Sequence, residues 1–363
     1  MGVLKFLLAI SVVLAHSTDI FGFSLVNSVV AVQAFYIISG FYMTLILNEK
    51  YIGKSNSYRL FITNRFLRLY PIYWVVLLLT TLGSLTVYII TKGEDAVVLE
   101  SYMNYFSNLD LLTFSFLVFT NIAVFFQDLV MFFNLNLETF SVALSSSNTN
   151  NIPLYKFLII PQAWTVGVEL LFYLVAPFIV RRKLKVVFAL IVLSLLIRFV
   201  LVSKGFDYDP WSYRFFPNEL VFFLLGVLGY HIHKKKFFIE NKKWLKKLEL
   251  FIFIGLVFLT LAYNKIDLQY LNLFYLVVFF VAVPFIFNLT KKSKLDRLIG
   301  DLSYPIYISH LFILMIINAL NINIFWGKGL TLVILTSIFS FILNKVISDR
   351  IEVFRQKRVA GNK

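Results

Sequence analysis

RRKLKVVFALIVLSLLIRFVLVSK, residues 181–204, packs four basic residues into five positions ahead of an apolar run that reaches Ser203. A membrane crossing needs roughly 20 apolar residues. The run therefore reads as a transmembrane helix, and the basic turn before it as that helix's cytoplasmic end. Working outward, comparable runs fall at 3–22, 29–47, 69–91, 164–180, 217–233, 249–264, 270–288, 304–321 and 329–348. With 185–203 they predict an all-α, polytopic transmembrane bundle of about ten crossings.

Composition agrees. Of 363 residues, 60% are hydrophobic and 15% charged, and Phe alone contributes 41. A water-soluble domain of this size has no use for so much apolar surface, whereas a bilayer-embedded one needs it outside as well as inside. The net charge of +15 would suggest nucleic acid in a soluble protein. Here 25 of the 34 basic residues lie in five clusters between apolar runs: 48–68, 181–185, 231–247, 291–297 and the tail after 348. That pattern is positive-inside orientation and points to no nucleic-acid partner.

Because the clusters fall on alternate sides of the spans, both termini are expected in the cytoplasm. Clusters 48–68 and 181–185 share a side only if 92–163 adds zero or two crossings to the helices at 69–91 and 164–180. Its apolar stretch, 108–133, is then a re-entrant or surface segment, or part of a hairpin. The polar run Ser145 to Asn151 suits an exposed outer loop. No linker or repeat divides the chain, which reads as one membrane domain, 1–348, and a basic cytoplasmic tail, 349–363. Lys5 followed by an apolar stretch to Ala15 resembles a signal peptide, but further spans follow at once, so a retained first helix is expected.

The chain has no cysteine and four histidines. Cysteine nucleophiles and thiolate metal sites are thereby excluded, and no metal is expected. Ionisable residues inside spans cost free energy and are functional candidates by default. Lys5 and His16 are eleven residues apart, about 20° from three full helical turns, which puts them on one face roughly 16 Å apart. Lys5 alone is also an ordinary positive-inside anchor. His16, expected to be buried, is suited to take a proton from a hydroxyl near neutral pH. Arg65 and Arg68, at i and i+3 before Tyr70-Pro71, can fork onto a phosphate or carboxylate. Glu169 follows Trp164-Thr165-Val166-Gly167-Val168 at a helix start, where an acidic residue is also favoured by the helix dipole; it could pair with a cation or orient His16. Arg214 and Glu219 flank Pro217 ahead of Gly226 and Gly229, two glycines that permit close helix approach. His310 ends Tyr304-Pro305-Ile306-Tyr307-Ile308-Ser309-His310, with Tyr307 one turn earlier. Arg198 and Lys345 read as snorkelling at span ends, and His231 and His233 as a solvated loop.

Taken in order, six of these segments resemble the acyltransferase 3 family of integral membrane O-acyltransferases. They are Lys5-x10-His16, Ala34-Phe35-Tyr36-Ile37-Ile38-Ser39-Gly40-Phe41, Asn64 to Trp74, Trp164 to Tyr173, Arg214 to Gly226 and Tyr304 to His310. Lys5 stands where Arg is commoner and Thr165 where Ser is usual. Val32-Gln33-Ala34 replaces the more frequent lead of the second helix, so Gln33 inherits no role. The resemblance implies transfer of an acyl group, commonly acetyl from acetyl-CoA or another short acyl-CoA, onto a carbohydrate hydroxyl. The acceptors it implies are cell-envelope glycans at the bacterial cytoplasmic membrane, with polysaccharide-synthesis machinery as a possible partner. On that reading His16 and Glu169 are catalytic, Lys5, Arg65 and Arg68 bind the donor, and Arg214, Glu219, Tyr307 and His310 bind or orient the acceptor. A transporter or flippase for a lipid-linked glycan is the alternative, although inverted repeats with interrupted helices are not evident. A non-catalytic synthase subunit is a third, which would leave Lys5, His16 and Arg65 without a purpose.

Overall fold

The computed structural model describes residues 1–51, 57–93, 97–144, 151–235, 243–322 and 327–361. In chain order the helices are α1 (Gly2–Ala15), α2 (Ser28–Glu49), α3 (Ser57–Ile90), α4 (Glu100–Tyr105), α5 (Leu111–Ala123), α6 (Gln127–Val130) and α7 (Trp164–Ile179). They continue with α8 (Leu184–Ser203), α9 (Phe216–His233), α10 (Lys243–Ala262), α11 (Leu271–Thr290), α12 (Lys294–Asp301), α13 (Ser303–Ala319), α14 (Lys328–Leu343) and α15 (Asp349–Gly361). Every apolar run read from the sequence coincides with a helix. Seven helical segments are long and apolar enough to cross a membrane by length and composition. The other three runs coincide with α1, α9 and α10. The chain is an all-α, polytopic helical bundle.

Burial separates lipid-facing from interior helices. In α8 only Val187 and Ser194 are buried, while Phe188, Leu193, Leu196 and Phe199 are exposed. So large an apolar surface has to be covered, and lipid is the cover that its length and hydropathy specify. α1 is the opposite case. It is buried along most of its length and packs on α2, α12, α13 and α14.

α1 ends at Ala15 rather than near residue 22. The amides of His16 and Ser17 close tight turns onto Val13 and Leu14, and Ile20 then bridges to Phe23 around Phe21 (φ 50°) and Gly22 (φ 77°). A polar quartet, His16-Ser17-Thr18-Asp19, thus stops the helix about two-thirds of the way across a hydrocarbon core. The irregular backbone that follows is largely exposed, with Phe21 and Phe23 among the exposed side chains, until the chain is buried again at Leu25 and Val26.

Within 92–163 the longest helix is α5, whose 13 residues span about 20 Å, short of the roughly 30 Å of a bilayer core. Among the described residues, no helix of this region is long enough by itself to cross a bilayer core. A small antiparallel sheet ordered β2 (Val142–Leu144), β1 (Phe133–Asn136), β3 (Asn151–Pro153) follows. Ser145 to Asn150 lie outside the described residues. The motif at 70–74 anchors the segment: Tyr70, Tyr73 and Trp74 donate to the carbonyls of Ala123, Asn121 and Ile122, the last at 2.9 Å. Terminal helix carbonyls have no intrahelical partner, and these side chains supply one.

The basic clusters converge at one end of the bundle. The amino group of Met1 meets Asp296 at 2.8 Å, Arg181 donates to the Leu47 carbonyl at 2.8 Å, and Lys234 pairs with Glu49 at 2.8 Å. Arg358 of α15 reaches Asn64 and Thr63 on α3 at 3.0 and 2.8 Å. The positive-inside rule assigns this end to the cytoplasm. The segment expected to be a mere tail is thus a helix, joined to α14 through a π-helical turn at Asn344–Ser348 and packed on α3. His231 and His233 are half-buried in the last turn of α9 rather than in a loop.

Two glycines set the α2–α9 crossing. A Cβ on Gly40 would lie 1.9 Å from the Phe223 carbonyl oxygen, and one on Gly226 would lie 2.1 Å from that of Ile37. At Gly229 the nearest atom is a Phe41 ring carbon at 3.6 Å, an ordinary contact. Gly40→Ala or Gly226→Ala should therefore force the backbones apart and destabilise the protein by about 1–3 kcal/mol. Gly229→Ala should be nearly silent. Thermal unfolding of the detergent-purified protein, followed by size-exclusion chromatography, separates the two outcomes.

Candidate active site

A cavity of about 550 Å³ opens at the basic end and runs inward between α1, α2, α3, α7, α12, α13 and α15. That size is ordinary for a small-molecule site. All three predicted donor-binding residues line it. Lys5 lies across Gly300, where an added Cβ would come within 3.2 Å of its Cε, and its ammonium sits 5.5 Å from the centre of the Tyr42 ring. Arg65 is 4% exposed, and its Nε has no hydrogen-bond partner among the described residues. Arg68, one turn along α3, is exposed to the cavity. The spacing of i and i+3 on α3 puts both guanidinium groups on one wall.

Glu169 also lines the cavity, where it accepts 2.5 Å bonds from Ser39 and Tyr173. Of its two expected roles, pairing with a cation fits its place beside Lys5, Arg65 and Arg68 in the cavity lining. The other was to orient His16, but no described contact joins the two. The sixth residue of α7 points to α2 and the cavity, so this carboxylate belongs to the cavity wall. Its ligands Ser39 and Tyr173 were not singled out in the sequence, although both lie inside the quoted motifs.

At the inner end stands Tyr307, held by two hydrogen bonds. Its hydroxyl donates to the Gln162 carbonyl at 3.0 Å and accepts from Thr165 at 2.8 Å. Thr165 thus supplies the hydroxyl that Ser would bring, and its substitution costs the site no donor. One turn on, His310 is fully buried. Its Nδ1 lies 2.7 Å from the Tyr307 carbonyl oxygen, while its Nε2 has no partner among the described residues. A carbonyl only accepts, so Nδ1 carries the hydrogen and Nε2 presents a lone pair.

The His310 ring centre is 5.2 Å from that of His16 and 6.1 Å from that of Tyr307. His16 caps the C-terminus of α1 and is exposed. The expectation of a buried His16 is therefore corrected: with the helix ending one residue earlier, the imidazole projects from the end of α1 instead of packing inside a longer one. The cavity and the histidine pair are adjacent but separate, with Tyr307 and Thr165 between them. Lys5 belongs to the first and His16 to the second, so the pair on α1 spans the site from end to end.

Two other predicted residues sit elsewhere. Arg214 forks onto Asp209 at 2.6 and 2.8 Å, and its guanidinium carbon lies 4.5 Å from the Trp164 ring centre. It does not line the cavity, and its partners fix the loop before α9. Glu219 is completely buried and pairs with Arg198 at 2.9 Å, with Gln33 donating at 3.3 Å. Arg198 turns inward to this carboxylate and to the Asn218 carbonyl, at 3.1 Å, instead of snorkelling. Gln33, which inherits no family role, has this structural one. Removing one partner of a buried ion pair costs about 3–5 kcal/mol because the other charge is left uncompensated. Arg198→Ala should fall toward the lower figure, since 28% of the Arg198 side chain is exposed. The double variant Arg198→Leu/Glu219→Leu should recover most of the loss, measured by thermal unfolding.

Among the described residues, no group of three or more His, Asp or Glu side chains could hold a metal ion. The acyltransferase 3 family profile, described as an acyltransferase domain, matches residues 1–345. No curated protein and no solved structure matches the chain. A family match over nearly the whole length, on a helical bundle with seven segments able to cross a membrane, identifies the chain as a member of the acyltransferase 3 family and an integral, multi-pass membrane acyltransferase.

Proposed function

We propose that this acyltransferase moves an acyl group, acetyl in the simplest case, from cytoplasmic acyl-CoA to a hydroxyl of a cell-envelope polysaccharide or lipid-linked glycan, at the bacterial cytoplasmic membrane. One observation carries the reading. A cavity with Lys5, Arg65 and Arg68 on its walls opens at the positive-inside end and leads to Tyr307, beside the histidine pair.

Arg65 and Arg68 bind the donor's phosphates, and Lys5 supplies a further positive charge nearer the reacting end. His16 stands about 20 Å from the cytoplasmic end of α1 and is open to an acceptor from the opposite side. In direct transfer, the acceptor oxygen attacks the thioester carbonyl carbon and its proton passes to the imidazole. The C–O bond forms, the C–S bond breaks, and the thiolate leaves and takes up a proton. In the stepwise route, the unprotonated ring nitrogen of His16 attacks the thioester carbon. The C–N bond forms as the C–S bond breaks, and the thiolate leaves and takes up a proton. The other ring nitrogen of His16 passes its proton to Nε2 of His310. The acceptor oxygen then attacks the acyl carbon, the C–O bond forms as the C–N bond breaks, and the hydroxyl proton returns to His16. The stepwise route gives the His310 lone pair a task, and in the direct route it can relay the proton taken up by His16.

The test is purified protein in liposomes with labelled acetyl-CoA outside and a glycan acceptor inside. Label in the glycan is expected. Glycan flux without acylation would overturn this reading in favour of transport. Mass spectrometry of envelope glycans from cells with and without the protein then identifies the acceptor and the acyl group.

A further inference from the structure

One wall of the cavity lies beyond the stretch matched to the family. The family match ends at residue 345, whereas α15, residues 349–361, lies beyond it and contributes Glu352 and Arg355 to the cavity lining. Arg358 fastens this helix to Asn64 and Thr63 of α3 at 3.0 and 2.8 Å. One turn earlier, Arg355 is carried to the same wall as Arg65 and Arg68.

Arg355 is 9% exposed, and its Nε has no partner among the described residues; Arg65 is 4% exposed and has the same orphan atom. Arg355 experiences both Arg65 and Arg68 as like charges, and Glu352, which accepts a hydrogen bond from it, is its nearby counter-charge. Arg65, Arg68 and Arg355 repel one another, with Asp301, Glu169 and Glu352 as the nearby counter-charges, and two orphan N–H groups in a buried wall add to the cost. An anion with several negative oxygens removes both penalties, and forked guanidinium groups are the side chains suited to it.

We propose that α15 completes a phosphate-binding site, in which Arg355 joins Arg65 and Arg68 around a phosphate ester and closes the cytoplasmic mouth over it. This rests on the donor-site reading above, and adds both the third cation and the part of the ligand it holds. The same chemistry fits the headgroup phosphate of an anionic lipid, so the experiment includes both sources.

Affinity for CoA is measured by calorimetry on the full-length protein in nanodiscs of zwitterionic lipid. Arg355→Gln is expected to weaken CoA about tenfold and to flatten the salt dependence of binding. Glu352→Gln frees Arg355 and should leave affinity unchanged or tighten it. If Arg355 only braces α15 through Glu352, the two variants will weaken CoA alike, and the proposal is overturned. Arg65→Gln separates the two levels of inference. If it weakens CoA while Arg355→Gln does not, the α15 proposal fails and the donor site stands. If neither has an effect, both readings fail.

The lipid arm uses nanodiscs containing phosphatidylglycerol. Loss of bound lipid in Arg355→Gln, by native mass spectrometry, with unaltered CoA affinity would overturn the assignment to the donor. Should Arg355→Gln not fold, hydrogen exchange on the unaltered protein decides. CoA is expected to slow exchange across 349–361, and an unprotected helix would refute closure.

Discussion

His16→Ala is expected to lower acyl transfer by at least about 10³-fold, with the protein still folded and still able to bind CoA. A positioned general base contributes about 10²–10⁴-fold, and a residue that also carries the acyl group contributes more when removed. The fold should not suffer, because His16 lies at the exposed C-cap of α1 and its ring has no hydrogen bond to a described residue. CoA affinity should persist because Lys5, Arg65 and Arg68 line a cavity that does not include His16. The measurement is transfer from labelled acetyl-CoA at matched protein, together with CoA affinity. Transfer above a tenth of the unaltered rate would remove His16 from the mechanism. Because the imidazole position is open, added imidazole should restore part of the lost rate in His16→Ala.

How far the sequence was readable depended on the physics behind each feature. Helix positions were legible because a bilayer imposes a length and an apolar composition on each crossing. The convergence of the basic clusters at one end was legible for the same kind of reason, since loop charge follows membrane topology. Lys5, Arg65 and Arg68 were legible as a group only through the family motifs; composition alone would have left each as an ordinary anchor. Pairings between distant spans were out of reach. Nothing local to Arg198 distinguishes a snorkelling side chain from one that turns 21 positions ahead to Glu219. Arg355 looked like one more tail cation, because its burial depends on α15 folding back over α3. The end of α1 was misjudged for a simpler reason: Ile20, Phe21 and Phe23 extend the apolar run past His16-Ser17-Thr18-Asp19, and hydropathy averages over a polar break that backbone geometry does not. That break brings His16 to the end of α1, 5.2 Å from His310.

His310→Gln is expected to be the second most damaging substitution, lowering kcat about 10²-fold while leaving the KM for the donor nearly unchanged. His310 is held in one tautomer by the Tyr307 carbonyl, so its Nε2 can only accept a proton, and that atom has no other partner among the described residues. A buried acceptor left vacant is costly in a core that has no use for it; the proposed mechanism gives it one beside His16, as the place to which a proton moves. Gln keeps a polar side chain of similar reach but cannot take up a proton, which is why the loss should fall on kcat. Donor binding is remote, since His310 does not line the cavity. Three readouts distinguish this role from packing. A structural role would lower the thermal midpoint in proportion to activity, whereas proton acceptance leaves the midpoint close to that of the unaltered protein. Imidazole should rescue His16→Ala but not His310→Gln, because His310 has no exposed surface. An acceptor whose hydroxyl is more acidic should narrow the gap between His310→Gln and the unaltered enzyme, since less help is needed in removing its proton. If His310→Gln retains full kcat, or if its deficit is the same for acidic and ordinary hydroxyl acceptors, then His310 is a packed core residue and His16 acts without it.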